Sequence, residues 1–156
     1  MAMLNRITKV AIIGVSDFES SISFTSLQRL TNHQAGGNSG SFITSALLKT
    51  GKHTVTALTR ADSQNKLPEG VIIKTVDYMK PETFVEALKG QDALVITLSS
   101  TTTKETEMQI INAAGEAGVG WVLPNEWCPD SENEALVNDV TLFKSRGKKA
   151  HCIYTL

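Results

Sequence analysis

A cluster of glycines near residue 37 has the residue types that bind phosphate. The segment 35–40, Ala-Gly-Gly-Asn-Ser-Gly, places three glycines directly before a helical pattern. Because glycine lacks a Cβ, backbone N–H groups of such a turn can approach a ligand closely, and the helix start adds free N–H groups and the positive dipole end. The sequence therefore predicts a phosphate-binding turn. Its candidate residues are Gly36, Gly37, Asn38, Ser39 and Gly40.

The strand that usually precedes such a turn lies further upstream in this chain. Lys9 to Gly14 is an apolar, β-branched run, typical of a strand that is buried on both faces. If Val15 to Gln34 is left out, this strand runs directly into the turn. The result is a strand, a Gly-x-x-Gly-x-x-Gly turn formed by Gly14, Gly37 and Gly40, and a helix. The sequence thus predicts a dinucleotide-binding turn that an insert interrupts.

Two interpretations of the insert at 15–34 are open from the sequence. Its 20 codons keep the reading frame, and Val15-Ser16 and Gln34 can be encoded by splice-donor and splice-acceptor sequences, as in a retained intron. The alternative is a genuine surface insertion, since functional loops concentrate near active sites. On either interpretation, closing a loop of this length costs the fold only about 2–3 kcal/mol beyond a constant.

The rest of the chain alternates between strand and helix patterns. Strands after the first are predicted over 53–60, 71–77, 92–99 and 121–124. Helices are predicted from Ser39 to a glycine C-cap at Gly51, and over 81–88, 104–118 and 133–149. Such alternation indicates parallel strands joined by right-handed crossovers. The predicted fold class is α/β, a doubly wound parallel sheet of about five strands in the order 3-2-1-4-5.

Helical periodicity also predicts which side chains face the core. In the first helix the predicted apolar face comprises Phe42, Ile43, Ala46 and Leu47. In the helix over 104–118 the predicted inward residues are Met108, Ile111 and Ala114.

Several polar residues follow the predicted strands, at the edge where a doubly wound sheet binds a nucleotide. Arg60 ends the second strand, where an arginine accommodates the 2′-phosphate of NADP through charge-assisted hydrogen bonds. A solvated surface charge is the alternative. Asp77 ends the third strand and either lies near the adenine or serves as a cap or turn residue. Ser99 and Ser100 follow the fourth strand and either bond the nicotinamide half of the cofactor or cap the next helix.

Composition excludes several classes of function. At 156 residues and 41% hydrophobic, the chain suits one core and is too short for separate nucleotide and substrate domains. The 15 basic and 16 acidic residues give a formal net charge of −1, which disfavours a nucleic-acid partner. The two cysteines are expected to be free thiols, and the histidines lack metal-ligand spacing. With no apolar run near the ~20 residues of a membrane span, we expect a cytoplasmic protein without a metal or a membrane partner.

Taken together, these motifs resemble the NmrA-like and isoflavone-reductase-like family, particularly its fungal members. The resemblance covers about 9–14 and 35–146. The segments that carry it are Gly14 joined to 35–40, Thr59-Arg60, Val76-Asp77, the run 81–92 and Val122-Leu123-Pro124-Asn125-Glu126-Trp127.

The resemblance implies an atypical short-chain dehydrogenase fold that binds NADP(H), formed by one domain over 1–156. Carried over by position, Gly14, Gly37 and Gly40 cradle the diphosphate, Arg60 binds the 2′-phosphate, and Ser99 with its neighbours lies on the nicotinamide side. The small-molecule partner that it implies is therefore a dinucleotide.

Two departures from the family bear on activity. Its reductases place a catalytic lysine in the helix after the fifth strand, where this sequence aligns Arg146, which cannot exchange protons as a lysine does. The catalytic residue is therefore left unknown. We also expect the substrate-binding carboxyl-terminal part to be missing, so that apolar surface near Trp121 and Trp127 promotes self-association. Two functions stay open, a reductase-like protein and a non-catalytic dinucleotide sensor or regulatory interaction protein.

Overall fold

The structure, a computed structural model, describes residues 7–14, 37–63, 67–99, 102–125 and 154–155. The insert at 15–34, the helix predicted over 133–149, Gly36 and Ser100 lie outside these residues.

A parallel sheet forms the centre of the fold. Its strands are β1 (Lys9–Ile13), β2 (Thr54–Thr59), β3 (Ile72–Thr75), β4 (Ala93–Ile96) and β5 (Trp121–Leu123). They lie in the order β3-β2-β1-β4-β5, and every neighbouring pair among them is parallel. The predicted doubly wound sheet and its strand order are therefore confirmed. A two-residue strand that the sequence pattern did not predict, β6 (Tyr154–Thr155), pairs antiparallel with β5.

Three helices connect these strands in the part of the chain that the structure describes: α1 (Gly37–Lys49), α2 (Pro81–Leu88) and α3 (Lys104–Glu116). Gly51, at a positive φ of 62°, follows the end of α1, as predicted from its C-cap pattern. Pro81 opens α2, where its fixed φ suits the first helical position. The Thr103 hydroxyl caps α3 by accepting a hydrogen bond from the Thr106 N–H at 3.3 Å. None of these helices has the length and apolar character to cross a membrane.

The core has one layer on each face of the sheet because side chains of a strand alternate between faces. On one face, Ala11 and Ile13 of β1 belong to a cluster that α2 and α3 cover. On the other face, Val10 and Ile12 pack with residues of α1. The side chains that α1 supplies are Ile43, Leu47 and Leu48. The prediction that β1 is buried on both faces is thus confirmed.

The apolar face predicted for α1 is partly wrong. Phe42 is 61% exposed and Ala46 is also exposed, whereas Thr44 is completely buried. The buried face of the helix is rotated away from Phe42, because Leu48 packs against the sheet cluster and Thr44 is buried. The Thr44 Oγ1 atom lacks a hydrogen-bond partner there.

The predicted face of α3 contains one error of the same kind. Met108 is 48% exposed, although Ile111 and Ala114 are buried as predicted. The buried face also includes Ile110 and Ala113, which shift its centre away from Met108 and leave that side chain at the rim.

A single carboxylate joins β1 to β4 at the amino edge of the sheet. Asp92 Oδ2 accepts hydrogen bonds from the Thr8 N–H at 2.7 Å, the Thr8 hydroxyl at 2.9 Å and the Lys9 N–H at 2.8 Å. Hydrogen bonds from the backbone N–H groups of Lys9 and Thr8 lower the pKa of Asp92 from its usual value. The folded protein therefore stabilises the ionised form of the Asp92 carboxylate, which accepts the hydrogen bonds from Thr8 and Lys9.

We predict that Asp92→Asn lowers the free energy of unfolding at neutral pH by about 1 kcal/mol, because an exposed, charge-assisted contact is weakened. Since the folded pKa is lowered, this stabilisation is present above the unfolded-state pKa of about 4 and is lost as pH falls through the folded value. Urea unfolding of both proteins from pH 7 to pH 3 checks the prediction. A difference between the two proteins that stays constant over this range would contradict it.

Candidate functional site

The carboxyl ends of the parallel strands meet at one edge of the sheet. In the strand register Ile13 lies opposite Leu58 on one side and Ile96 on the other. On the outer side of β2, the Val76 N–H donates to the Thr59 carbonyl at 2.8 Å, so the residues after β2 and β3 leave the sheet together. This edge therefore brings together four of the sequence-predicted site residues. They are Gly14, Arg60, Asp77 and Ser99.

Gly14 occupies the point where the chain leaves β1. Its φ is +92°, and a Cβ at this position would lie 2.3 Å from the Thr97 carbonyl oxygen. The Ile13 carbonyl accepts two hydrogen bonds from Thr97, one from the N–H and one from the buried hydroxyl, both at 2.9 Å. The end of β1 and the segment after β4 are thus fixed at a distance that only glycine permits.

The N-terminus of α1 faces the same edge. The turn Thr50–His53 connects α1 directly to the start of β2, so α1 runs antiparallel to the strands. Its 13 residues give a length of about 20 Å, close to that of the six-residue strand β2. The first turn, which begins at Gly37, therefore lies near the carboxyl edge. Gly40 is buried against the fold and Ser39 is half-buried.

Helix starts favour anions because the first N–H groups of a helix have no acceptor within it. The structure thus places Gly14 and the start of α1 on the same edge of the sheet, as a phosphate-binding arrangement requires. Gly37 and Asn38 belong to α1, and the side chain of Asn38 lies outside the described part.

Arg60 lies in a turn that directly follows β2. The Ser63 N–H donates to the Arg60 carbonyl at 3.1 Å, which closes the turn over four residues. Within it, Arg60 Nε lies 3.4 Å from Asp62 Oδ1, and the two side chains are 65% and 75% exposed. The guanidinium is accessible to a ligand and already has a carboxylate beside it.

Asp77 shapes the turn that leads from β3 into α2. Its Oδ1 accepts from the Met79 N–H at 2.9 Å, and its own N–H donates to Thr83 Oγ1 at 2.9 Å. These are the contacts of a turn-forming aspartate, one of the two roles expected from the sequence. Asp77 Oδ1 thus already accepts a hydrogen bond within the turn. The contact between Asp77 and the adenine stays a prediction.

Sequence reasoning missed Tyr78, which follows Asp77 at this edge. Its ring packs edge-on against Phe84 at a centroid distance of 5.3 Å, and its carbonyl accepts from Gln109 Nε2 at 3.2 Å. Burial raises the pKa of the Tyr78 phenol, and the positive charge of Arg60 partly opposes that rise. The phenol therefore lies within electrostatic reach of the guanidinium. An aromatic residue next to Asp77 was the signal available in the sequence.

The segment after β4 leaves the same edge. Ser99 is exposed, and its carbonyl accepts from the Thr102 N–H at 3.0 Å. The capping role considered for this segment is performed by Thr103. Throughout the described ranges, no three His, Cys, Asp or Glu side chains are grouped so as to hold a metal ion.

The strand order, the glycine at positive φ after β1 and the helix start at the same edge define a dinucleotide-binding α/β protein of the Rossmann type. The chain belongs to the NAD(P)H-binding family, which matches it over residues 35–124.

Similarity to an oxidoreductase sequence and to two reductase structures is consistent with this family. The chain is 42% identical over 100 residues to the oxidoreductase aprR of Aspergillus flavus, an alignment that covers 64% of this chain and 33% of that protein. In fold it is similar to isoflavone reductase, with a TM-score of 0.60 at 23% identity, and to AtPrR2 with NADP+ and (+)pinoresinol, with a TM-score of 0.61 at 20% identity. Each of these two structures is matched over 90% of this chain and 44% of its own. The predicted likeness to isoflavone reductase is thus confirmed for the fold, and the chain spans a third to a half of these relatives.

We predict that Gly14→Ala lowers the free energy of unfolding by about 3 kcal/mol, because backbone strain adds to the clash with Thr97. Gly118→Ala is the matched control, since Gly118 has a φ of +75° but nothing lies within 4 Å of an added Cβ. We expect a loss of only about 1 kcal/mol there, from strain alone. Chemical unfolding measures both variants. Equal losses would show that the approach of β1 to the segment after β4 does not constrain Gly14.

Proposed function

We propose that this chain is an NmrA-like domain that binds NADP(H) at the carboxyl edge of its sheet and is related to reductases of the isoflavone reductase type. The observation that carries the proposal is the position of Arg60, one residue beyond β2, with a largely exposed guanidinium. At this position a positive charge suits the 2′-phosphate that distinguishes NADP from NAD. The presence of NADP+ in the AtPrR2 structure supports the same choice.

The residues at this edge fit the chemistry of the cofactor. Gly14, Gly37 and Gly40, with the α1 N-terminus, would hold the diphosphate, because the close backbone at Gly14 leaves no side chain in the way. Arg60 would hold the 2′-phosphate, and Asp77 lies on the adenine side. Gly36, Asn38, Ser39, Ser99 and Ser100 are proposed as further contacts. When bound, the cofactor supplies a hydride to a small-molecule substrate.

Two modes of action share this binding site. The identity to an oxidoreductase favours a reductase. The alternative is a sensor of dinucleotide state that acts on a regulatory protein partner, and Arg146, aligned with the catalytic lysine of the family's reductases, favours it. Consumption of NADPH with small carbonyl or aromatic ether substrates would establish the reductase, whereas binding without turnover would leave the sensor. For both we propose a cytoplasmic protein without a nucleic-acid or membrane partner.

We predict that the protein binds NADP+ more tightly than NAD+, and that Arg60→Ala removes most of this difference. One charge-assisted contact at an exposed site changes affinity by about tenfold, roughly 1.4 kcal/mol. Calorimetric titration of both dinucleotides measures it. Lys52→Ala is the matched control because Lys52 is an exposed cation between α1 and β2, at the opposite edge of the sheet. Equal affinity of the unmutated protein for the two dinucleotides would refute the proposed role of Arg60.

We propose that 15–34 is an insert that separates Gly14 from the start of α1, and we predict that its deletion raises NADPH affinity by at least ~tenfold. The N–H groups that converge on the diphosphate require Gly14 and Gly37 to be close in the chain. Replacing 15–34 by a glycine-serine linker of the same length is the control and should give no gain. Unchanged affinity after deletion, with transcripts that always contain the segment, would support a genuine surface insertion.

A further inference from the structure

The turn after β2 presents opposite charges side by side. Because the Ser63 N–H closes the turn onto the Arg60 carbonyl, residues 60 and 62 are held at its start and its second corner. This brings Asp62 Oδ1 within 3.4 Å of Arg60 Nε. Both side chains are mostly exposed, and an exposed pair of this kind contributes little to stability because water and salt screen its charges. The Arg60–Asp62 ion pair therefore contributes little to the stability of the fold.

The same pair has a direct effect on a phosphate that approaches Arg60. A 2′-phosphate carries close to two negative charges and must share the guanidinium with the Asp62 carboxylate. Binding of the phosphate therefore breaks or weakens the ion pair between Arg60 and Asp62. The Asp62 carboxylate also repels the incoming phosphate. At about 4 Å in a watery environment, one pair of unit charges changes an equilibrium by about fivefold.

For a ribose without the phosphate, the carboxylate acts in the opposite direction. A 2′-hydroxyl is a neutral donor, and an acidic side chain after the second strand of such a sheet accepts its hydrogen bond. Asp62 is a carboxylate two residues beyond the position of Arg60 in the same turn. One short turn thus carries a group suited to NADP and a group suited to NAD.

We propose that Asp62 is a second determinant of cofactor choice, which weakens the preference for NADP(H) set by Arg60 and lets the site accept NAD(H) as well. This inference rests on the proposed dinucleotide site. It assigns to the Arg60–Asp62 pair the regulation of selectivity between the two cofactors.

The test compares Asp62→Asn and Asp62→Ala with the unmutated full chain in calorimetric titrations of NADP+ and NAD+. Asp62→Asn removes the charge but keeps an acceptor, so we expect NADP+ affinity to rise about fivefold and NAD+ affinity to stay within about twofold. Asp62→Ala should raise NADP+ affinity similarly and reduce NAD+ affinity by about threefold to fivefold, through loss of one hydrogen bond. Glu69→Gln, which removes an exposed charge from the turn before β3 at the opposite edge, should change neither.

Two further measurements separate this mechanism from a structural effect. The gain in NADP+ affinity should shrink between about 20 mM and 500 mM NaCl, because salt screens exposed charges. The midpoint of thermal unfolding should not change, because the pair contributes little to stability. In the double variant Arg60→Ala/Asp62→Asn, compared with Arg60→Ala alone, the gain should be smaller, since competition for the guanidinium is gone and only the direct repulsion between carboxylate and phosphate is relieved.

The outcomes distinguish this inference from the proposed function. If the unmutated chain binds both dinucleotides and Asp62→Asn changes neither affinity, the role of Asp62 is overturned and the dinucleotide site stands. If Asp62→Asn weakens NADP+ binding, Asp62 positions Arg60 for the phosphate, and the inference is overturned in that direction. If the unmutated chain binds neither dinucleotide, both are overturned.

Discussion

The contact between Gly14 and the backbone of Thr97 is the constraint on which the arrangement of the site depends. Two hydrogen bonds from Thr97 to the Ile13 carbonyl hold the ends of β1 and β4 together, and the space left is too small for a Cβ. The chain must therefore leave β1 at a positive φ, directly below the edge at which the strand order reverses. The crevice of a doubly wound sheet opens at this position, because β2 lies on one side of β1 and β4 lies on the other. The same hydrogen bonds to the Ile13 carbonyl that hold the centre of the sheet together thus define where the crevice of the proposed dinucleotide site opens.

Around this fixed point, the charged and aromatic groups are much less constrained. Arg60 and Asp62 are held by one turn hydrogen bond and their side chains are mostly exposed, so substitutions there should cost little stability. Tyr78 differs, because its ring is anchored by Phe84 and its backbone by Gln109. The edge therefore combines a rigid centre at Gly14 with a loosely held periphery at Arg60 and Asp62, and our proposal assigns cofactor selectivity to that periphery.

The sheet and its order could be predicted from the sequence because each strand is a short apolar run separated by glycine or proline signals, and alternation with helices allows few topologies. Errors arose where packing between elements decides the outcome. Phe42 was expected inside, but α1 buries Thr44 and packs Leu48 against the sheet cluster instead. The strand β6 has two residues, too few for a pattern to identify.

Among the site residues, Gly14 and Arg60 could be predicted because their positions after strands are fixed by the fold alone. The partners Asp62, Tyr78 and Thr97 could not, since a turn conformation, a ring contact or a cross-strand hydrogen bond becomes visible only in three dimensions.

Cofactor binding and substrate conversion make different demands on this chain. Every described group proposed to bind the dinucleotide lies on the sheet edge or at the start of α1, and all of them except Gly14 lie within residues 35–124, which the NAD(P)H-binding family matches. The contacts proposed for the dinucleotide are therefore all made by groups of this chain. Hydride transfer needs in addition a group that positions the substrate and exchanges its proton, and no such group is assigned among the described residues. Because these relatives are two to three times as long as the matched region, the described residues bear on the proposed dinucleotide binding and not on the conversion of a substrate.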